Sequence, residues 1–157
     1  MRSLQMVLKE GKLLLVIRFS DPKTIDTIVE HQKILNAKGE VWFGKIGKSP
    51  SKNFMNSQLN ENDFNILLVN KNDYYIASCK DISFDSPENY PQYYNTYLST
   101  VNFGVWFKLT MIEKIPYNST IDSMVVDSSG NYLRDALKQS MNSMMKARLI
   151  KEVDSLK

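Results

Sequence analysis

Residues 39–47 read GEVWFGKIG, a stretch that combines a short strand pattern with features of a binding surface. Val41, Trp42 and Phe43 are typical of a β-strand, and the glycines stand where the backbone must bend or let another group approach closely. Trp42 has two interpretations. It can fill the hydrophobic core, as most tryptophans do, or it can stack on a nucleobase beside the lysines that follow.

Outward from this stretch, the sequence predicts further strands and a helix. Residues 13–19 form a near-continuous apolar run, which indicates a central strand buried on both faces. Asp21 and Pro22 are typical of a helix start and Gly39 of a helix end, so the first helix is expected from Asp21 to Lys38. Strands are also expected at 41–46, 64–69, 74–82, 103–115 and 124–126, and loops at 49–62 and 84–98.

The C-terminal part carries leucines, methionines and a valine at helical spacing. This pattern predicts one helix from Asn131 to the end of the chain, with a methionine-rich face for the core or for a protein partner. Because no stop signal precedes Lys157, the chain is expected to be a single domain, 1–157, cut from a longer protein. The predicted fold class is α+β, a small, strongly curved sheet or barrel with flanking helices.

Composition excludes several classes of protein. Hydrophobic residues make up 43% and charged residues 24% of the chain, as in globular proteins. No apolar run approaches the roughly 18 residues of a membrane span, and no secretory leader is visible, so a cytoplasmic protein is expected. A single cysteine, Cys79, excludes an internal disulfide framework. The net charge of +3 permits nucleic-acid binding without requiring it.

The residues that enzymes need are missing or poorly placed. His31 is the only histidine and falls within the first predicted helix, where a surface or boundary position is expected. One histidine and one cysteine cannot make a zinc site. Residues 44–49 resemble a phosphate-binding loop, but two residues stand where that loop needs four. We therefore expect a binding domain with no catalytic residue, no metal and no cofactor.

Several short stretches, taken together, carry a family resemblance. They are VIRFS at 16–20, Val41-Trp42, NDFNILLV at 62–69 with YIA at 75–77, GVWFKL at 104–109 with KIP at 114–116, and SSG at 128–130. In these stretches the chain resembles the PUA-like superfamily and, within it, the EVE and YTH group of modified-base readers. Val41-Trp42 is similar to the YTH strand that supplies the first aromatic wall of the methyl-base cage.

The resemblance implies a domain that recognises a methylated base flipped out of double-stranded DNA. Such domains occur at the N-terminus of McrB-type modification-dependent restriction proteins, so a downstream motor domain and a nuclease partner are implied outside this chain. Two alternatives stay open. One is an RNA reader of methylated adenine with the same fold, and the other is a protein-interaction module that uses the C-terminal helix.

The expected site combines an aromatic base pocket with cations for the nucleic-acid backbone. Trp42 is expected to point away from Val41 and Phe43, into a cleft. The tyrosine-rich loop at 84–98 either contributes to the binding surface or covers one end of a barrel. The expected pocket residues are Trp42, Trp106, Tyr93, Tyr94, Ser20 and Asp21, and the expected backbone contacts are Arg18, Lys45, Lys48 and Lys52.

Overall fold

A computed structural model describes residues 7–47, 49–60, 64–85, 87–96, 103–116, 118–140 and 142–154. Lys48 lies outside these ranges. In chain order the elements are β1 (Val7–Leu8), β2 (Leu13–Arg18), α1 (Thr27–Lys38), β3 (Val41–Ile46), α2 (Lys52–Asn60), β4 (Phe64–Asn70), β5 (Asp73–Ser83), β6 (Phe103–Lys114), β7 (Met124–Val126), α3 (Leu133–Gln139), β8 (Met144–Leu149) and β9 (Val153–Asp154). Two 3-10 helices lie at Gln92–Thr96 and Asn118–Ser123.

Seven strands form one sheet in the order β3-β6-β5-β4-β2-β8-β7, and β1 pairs with β9. All six strands expected from the sequence are present, with ends within one residue of the prediction. Because β3 and β7 stand at the two ends of the order, the sheet is open and not a closed barrel. The α+β prediction is confirmed.

The chain divides into two compact units. The first consists of Met1–Ser20, Asn65–Ile76 and Glu113–Lys157, and the second of Asp21–Phe64 and Ala77–Ile112. In the first unit β2 lies between β4, to which it is parallel, and β8, to which it is antiparallel. Residues 14–17 are at most 1% exposed, as the apolar run predicted for a central strand.

The prediction of a long C-terminal helix is wrong. Helix α3 ends at Gln139, and its carbonyls at Leu137 and Ser140 accept hydrogen bonds from the Arg18 guanidinium. Residues 144–149 then form β8, in which Ala147 and Leu149 are buried and alternate with the exposed Lys146 and Arg148. The spacing fits a strand as well as a helix, and pairing with β2 decides between them. Met144 and Met145 therefore lie on a strand, and the residues that the structure describes form no helical methionine face.

Helix α1 begins later than predicted. It starts at Thr27, with the Asp26 side chain accepting from the Val29 amide as the N-cap. Asp21 still contributes, because its carboxylate accepts from the Thr27 amide at 3.0 Å. Gly39 ends the helix with φ +80°, and its amide donates to the Leu35 carbonyl, which confirms the predicted helix end.

Helix α2 replaces most of the loop predicted at 49–62. The Ser51 hydroxyl accepts from the Phe54 amide at 3.1 Å and so satisfies one of the amides at the helix start. Met55 is fully buried, and the Phe54 ring meets the Phe64 ring edge-on. Burial of these side chains stabilises a helix whose polar composition does not reveal it. Within the described ranges, no helix is long and apolar enough to cross a membrane.

Candidate functional site

The two tryptophans lie on one face of the β3–β6 pair in the second unit. In this antiparallel register Gly44 is opposite Trp106, and Trp42 is opposite Lys108. Opposite residues point to the same side of a sheet, so Trp42 and Trp106 share a face. Phe43 points the other way and packs against His31 of α1, with ring centres 4.9 Å apart.

These tryptophans belong to an aromatic cluster. Trp42, Tyr94 and Trp106 are its buried members, and Tyr90, Tyr93 and Phe103 pack against them while partly exposed. We call these six residues the aromatic cluster. Phe103 and Trp106 have ring centres 4.7 Å apart, and Tyr94 and Trp106 5.6 Å apart. The structure therefore brings together four of the predicted pocket residues: Trp42, Tyr93, Tyr94 and Trp106.

Gly44 makes this packing possible. A Cβ atom at this position would lie 2.7 Å from Cδ1 of Phe103 and 2.9 Å from Cζ3 of Trp106. Both distances are shorter than carbon atoms tolerate, so any side chain would displace the rings. The glycine is needed here for close approach of the two rings.

Residues 87–96 cover the outer edge of β3. The Trp42 amide donates to the Asn89 carbonyl at 3.0 Å, and the Gly44 amide donates to the Tyr94 hydroxyl at 3.3 Å. An edge strand otherwise leaves such amides unpaired. The tyrosine-rich segment thus pairs two outer amides of β3 and holds its tyrosines against the tryptophans.

Trp42 is covered by its neighbours. Only 8% of its surface is exposed. The Lys108 ammonium lies 5.4 Å from its ring centre and 3.4 Å from the Glu40 carboxylate. A cation over an indole face is attracted by the electron density of the ring. The predicted role of Trp42 as a wall of a base pocket stays a prediction.

His31 is fully buried, so the predicted surface or boundary position is wrong. Burial lowers its pKa to about 4, although the Thr27 carbonyl and the Glu30 charge act in the opposite direction. The Thr27 carbonyl can only accept, so Nδ1 carries the hydrogen and Nε2 accepts from the Tyr94 hydroxyl, each at 2.7 Å. The buried residues of α1, Thr27, His31 and Leu35, are spaced four apart, so His31 shares the helix face of the apolar Leu35.

The predicted cations occupy different environments. Arg18 belongs to the first unit, where it and Ser20 line a cleft of about 390 Å³ together with Lys71. Lys45 is 4% exposed, its ammonium donates to the Ile46 carbonyl at 3.2 Å, and burial lowers its pKa. Lys52 is exposed, with its ammonium 5.0 Å from the Phe84 ring centre. Their predicted contacts with phosphates stay predictions.

The described residues offer surfaces for stacking and hydrogen bonding. Burial raises the pKa of the Cys79 thiol to about 12, so it is not a nucleophile near neutral pH. In the ranges that the structure describes, no three histidines, cysteines or acidic residues come close enough to hold a metal ion. What the second unit provides is a group of flat rings beside buried polar groups, which suits a planar aromatic ligand.

The Pua-like family matches residues 15–156, nearly the whole chain. No significant match is found among curated proteins or solved structures. Membership in this family points to nucleic-acid and modified-base binding in general, in agreement with the aromatic cluster. By its sequence match and its open α+β sheet, the chain belongs to the PUA-like family.

Proposed function

We propose that this domain recognises a methylated base flipped out of double-stranded DNA and directs a modification-dependent restriction system to that DNA. The observation that carries the proposal is the aromatic cluster on one face of β3 and β6. The motor and nuclease of such a system would be supplied outside the described domain. This assignment extends the family's general role to one substrate, in line with the YTH-like and EVE-like motifs of the sequence.

The energetics of base flipping favour an aromatic site. Unpairing and unstacking one base costs a few kcal/mol, least at a mismatched or damaged position. Stacking on aromatic side chains returns about 1–3 kcal/mol per base, and contacts with phosphates supply the rest. A methyl group adds little surface, so discrimination requires rings that fit closely around it.

A cleft beside the cluster offers a route for the nucleic acid. It measures about 460 Å³ and lies between α1 and residues 87–92 in the second unit. Tyr90 lines this cleft and also contacts Trp106 of the cluster, with ring centres 5.4 Å apart. Lys33 and Lys38 stand on the helical side. A base could approach the cluster past Tyr90 while the lysines lie near its phosphates.

Among the predicted phosphate contacts, the geometry favours Lys52, because its side chain is exposed. Arg18, Lys45 and Lys48 remain proposed contacts, as Ser20 and Asp21 remain proposed pocket residues. Lys52→Ala should weaken binding to modified and unmodified duplexes alike and reduce the salt dependence by about one unit of slope. Lys80 is also exposed and lies on β5, so Lys80→Ala serves as the matched control for loss of one surface charge.

Fluorescence anisotropy with matched oligonucleotides tests the proposal. The set consists of duplex DNA that is unmodified, carries N6-methyladenine or carries 5-methylcytosine, and RNA of the same sequence with and without N6-methyladenine. We expect one modified duplex to bind more tightly than its unmodified counterpart. Tighter binding to methylated RNA would establish the RNA-reader alternative, and absence of binding to every oligonucleotide would overturn the proposed function.

A further inference from the structure

The Tyr94 ring occupies a slot formed by other flat rings. It is 4% exposed; the Tyr90 ring stacks on it, the Phe103 ring lies tilted against it, and the Tyr93 ring meets it edge-on at 4.9 Å. Tyr90 is 5.9 Å away at an interplanar angle of 15°, and Phe103 is 5.2 Å away at 30°. Trp106 closes a further side at 5.6 Å. A slot of this shape accepts a flat aromatic ring and rejects a bulky aliphatic group.

A buried ring nitrogen and a partly buried backbone amide meet the hydroxyl at the far end of this ring. The Tyr94 hydroxyl donates to Nε2 of His31 at 2.7 Å and accepts from the Gly44 amide at 3.3 Å. The Thr27 carbonyl holds the hydrogen of His31 on Nδ1, so Nε2 is an acceptor. The Tyr93 side chain also hydrogen-bonds the Tyr94 hydroxyl. The Tyr94 hydroxyl thus satisfies one acceptor, Nε2 of His31, and one donor, the Gly44 amide, with Tyr93 as a third neighbour.

We infer that Tyr94 occupies the place of the flipped base, and that His31 and Gly44 recognise a base with an amino group next to an unprotonated ring nitrogen. The amino group would donate to Nε2 of His31, and the ring nitrogen would accept from the Gly44 amide. Adenine and cytosine carry this edge, as do N6-methyladenine, N4-methylcytosine and 5-methylcytosine. At their Watson–Crick edges, thymine, uracil and guanine present a carbonyl next to a ring N–H instead, with donor and acceptor reversed.

The exchange of Tyr94 for such a base keeps Nε2 of His31 and the Gly44 amide paired. An amino base replaces the donor and the acceptor that the tyrosine hydroxyl supplies, and its flat ring takes over the ring contacts. A keto base would place its carbonyl against Nε2 and its N–H against the Gly44 amide, and so leave all four groups unsatisfied. Discrimination by hydrogen-bonding polarity is stronger than discrimination by size alone. This inference rests on the proposed function.

The wild-type protein can be tested with bases that differ only at this edge. Each base is placed opposite an abasic site in the same duplex, so that loss of pairing contributes equally. The pairs are 5-methylcytosine with thymine and adenine with hypoxanthine, since in each pair an amino group becomes a carbonyl and the shape is retained. If the site accepts a pyrimidine, we expect 5-methylcytosine to bind at least about tenfold more tightly than thymine. If it accepts a purine, we expect the same ratio between adenine and hypoxanthine.

Variants of the two side chains separate base reading from folding. His31→Phe keeps a ring against Phe43 but loses the acceptor, so the difference between amino and keto bases should disappear. His31→Gln keeps an acceptor oxygen and should restore part of that difference. Tyr94→Phe removes the competing hydroxyl and should tighten binding of the amino base several-fold, whereas Tyr90→Phe, whose hydroxyl bonds Asn95, should not.

Thermal melting of each variant identifies any that fails to fold. If the variants fail to fold, the affinities of the wild-type protein for the amino and keto bases decide the inference. Equal binding of amino and keto bases by a wild-type protein that still binds DNA would overturn the inference and leave the proposed function standing. Unchanged discrimination in a folded His31→Phe variant would also overturn it. Absence of binding to every duplex would overturn the proposed function together with this inference.

Discussion

Strand β2 and the buried members of the aromatic cluster, Trp42, Tyr94 and Trp106, are both shielded from water but differ in chemistry. In β2, residues 14–17 are aliphatic, at most 1% exposed and without a side-chain polar atom. In the cluster, the hydroxyl of Tyr94 binds a buried histidine and a backbone amide, and a glycine makes room for the rings. Aliphatic packing of this kind contributes stability and little else. Flat rings with polar ends can be replaced by a ligand of the same shape and hydrogen-bonding pattern, which makes the cluster the better candidate for a site.

The largest expected effect tests whether the cluster also contributes stability. Trp42→Ala should destabilise the domain by about 3–5 kcal/mol, because an 8% exposed indole leaves a cavity when it is removed. Urea unfolding measures this loss. Trp42→Phe keeps a ring and is the variant in which base selectivity can be compared with the wild type. A loss below about 1 kcal/mol for Trp42→Ala would show that the indole acts as a ligand surface and not as core.

The next effect is a pH dependence of the free energy of unfolding, which we expect from His31 beside the aromatic cluster and not from strand β2. His31 has a pKa of about 4 in the folded protein and takes up a proton near its ordinary value of 6.5 when unfolded. The unfolded state therefore binds more protons between these values, so the free energy of unfolding falls as pH falls, by about 3 kcal/mol across the window. Urea unfolding at pH 7, 6 and 5 measures the slope.

Carboxylates also titrate at the acid end of this range, so the comparison needs a variant. His31→Gln removes the titrating ring and should flatten the slope between pH 7 and 5, whereas a substitution in β2 such as Ile17→Val should leave the slope unchanged. Identical slopes in wild type and His31→Gln would contradict the buried neutral histidine.

A smaller effect is expected within β2. Ile17→Val removes one methylene group from a well-packed strand and should cost about 0.5–1.5 kcal/mol of stability. Because Ile17 is 1% exposed and pairs with Leu68 of β4, nucleic-acid affinity should not change. Urea unfolding and anisotropy on one preparation measure both quantities. If Ile17→Val changed nucleic-acid affinity while the protein stayed folded, strand β2 would contribute to binding and not to stability alone.

The smallest effect concerns the charges at the edge of the cluster. Lys108→Gln should cost less than about 1 kcal/mol of stability, because the ion pair with Glu40 is partly exposed and the contact with Trp42 is a surface cation–π contact. Glu40→Gln removes the ion pair alone. A double-mutant cycle of Lys108 and Glu40, measured by urea unfolding, separates the ion pair from the cation–π contact. A coupling free energy between Lys108 and Glu40 larger than the whole effect of Lys108→Gln would contradict the view that the two contacts act independently.

The methionine-containing segment shows where local pattern was insufficient. Apolar residues at 144, 145 and 149 fit a helix, yet the same segment alternates as a strand, and β2 presents an edge for it to pair with. His31 and Trp42 illustrate the same limit at the site. Their burial depends on residues 87–96, which are distant in sequence and reach them through Tyr94 and Asn89.

The sequence by itself determined the elements whose signals are local. The strands at 13–18 and 41–46 follow from apolar and β-branched runs, and the end of α1 follows from Gly39, because only a residue without a side chain adopts φ +80° without strain. Only the tertiary structure decided the strand at 144–149 and the enclosure of Tyr94 between rings. Hydrogen bonds and ring contacts between segments far apart in the chain have no local signature, because their free energy is gained only when the segments meet.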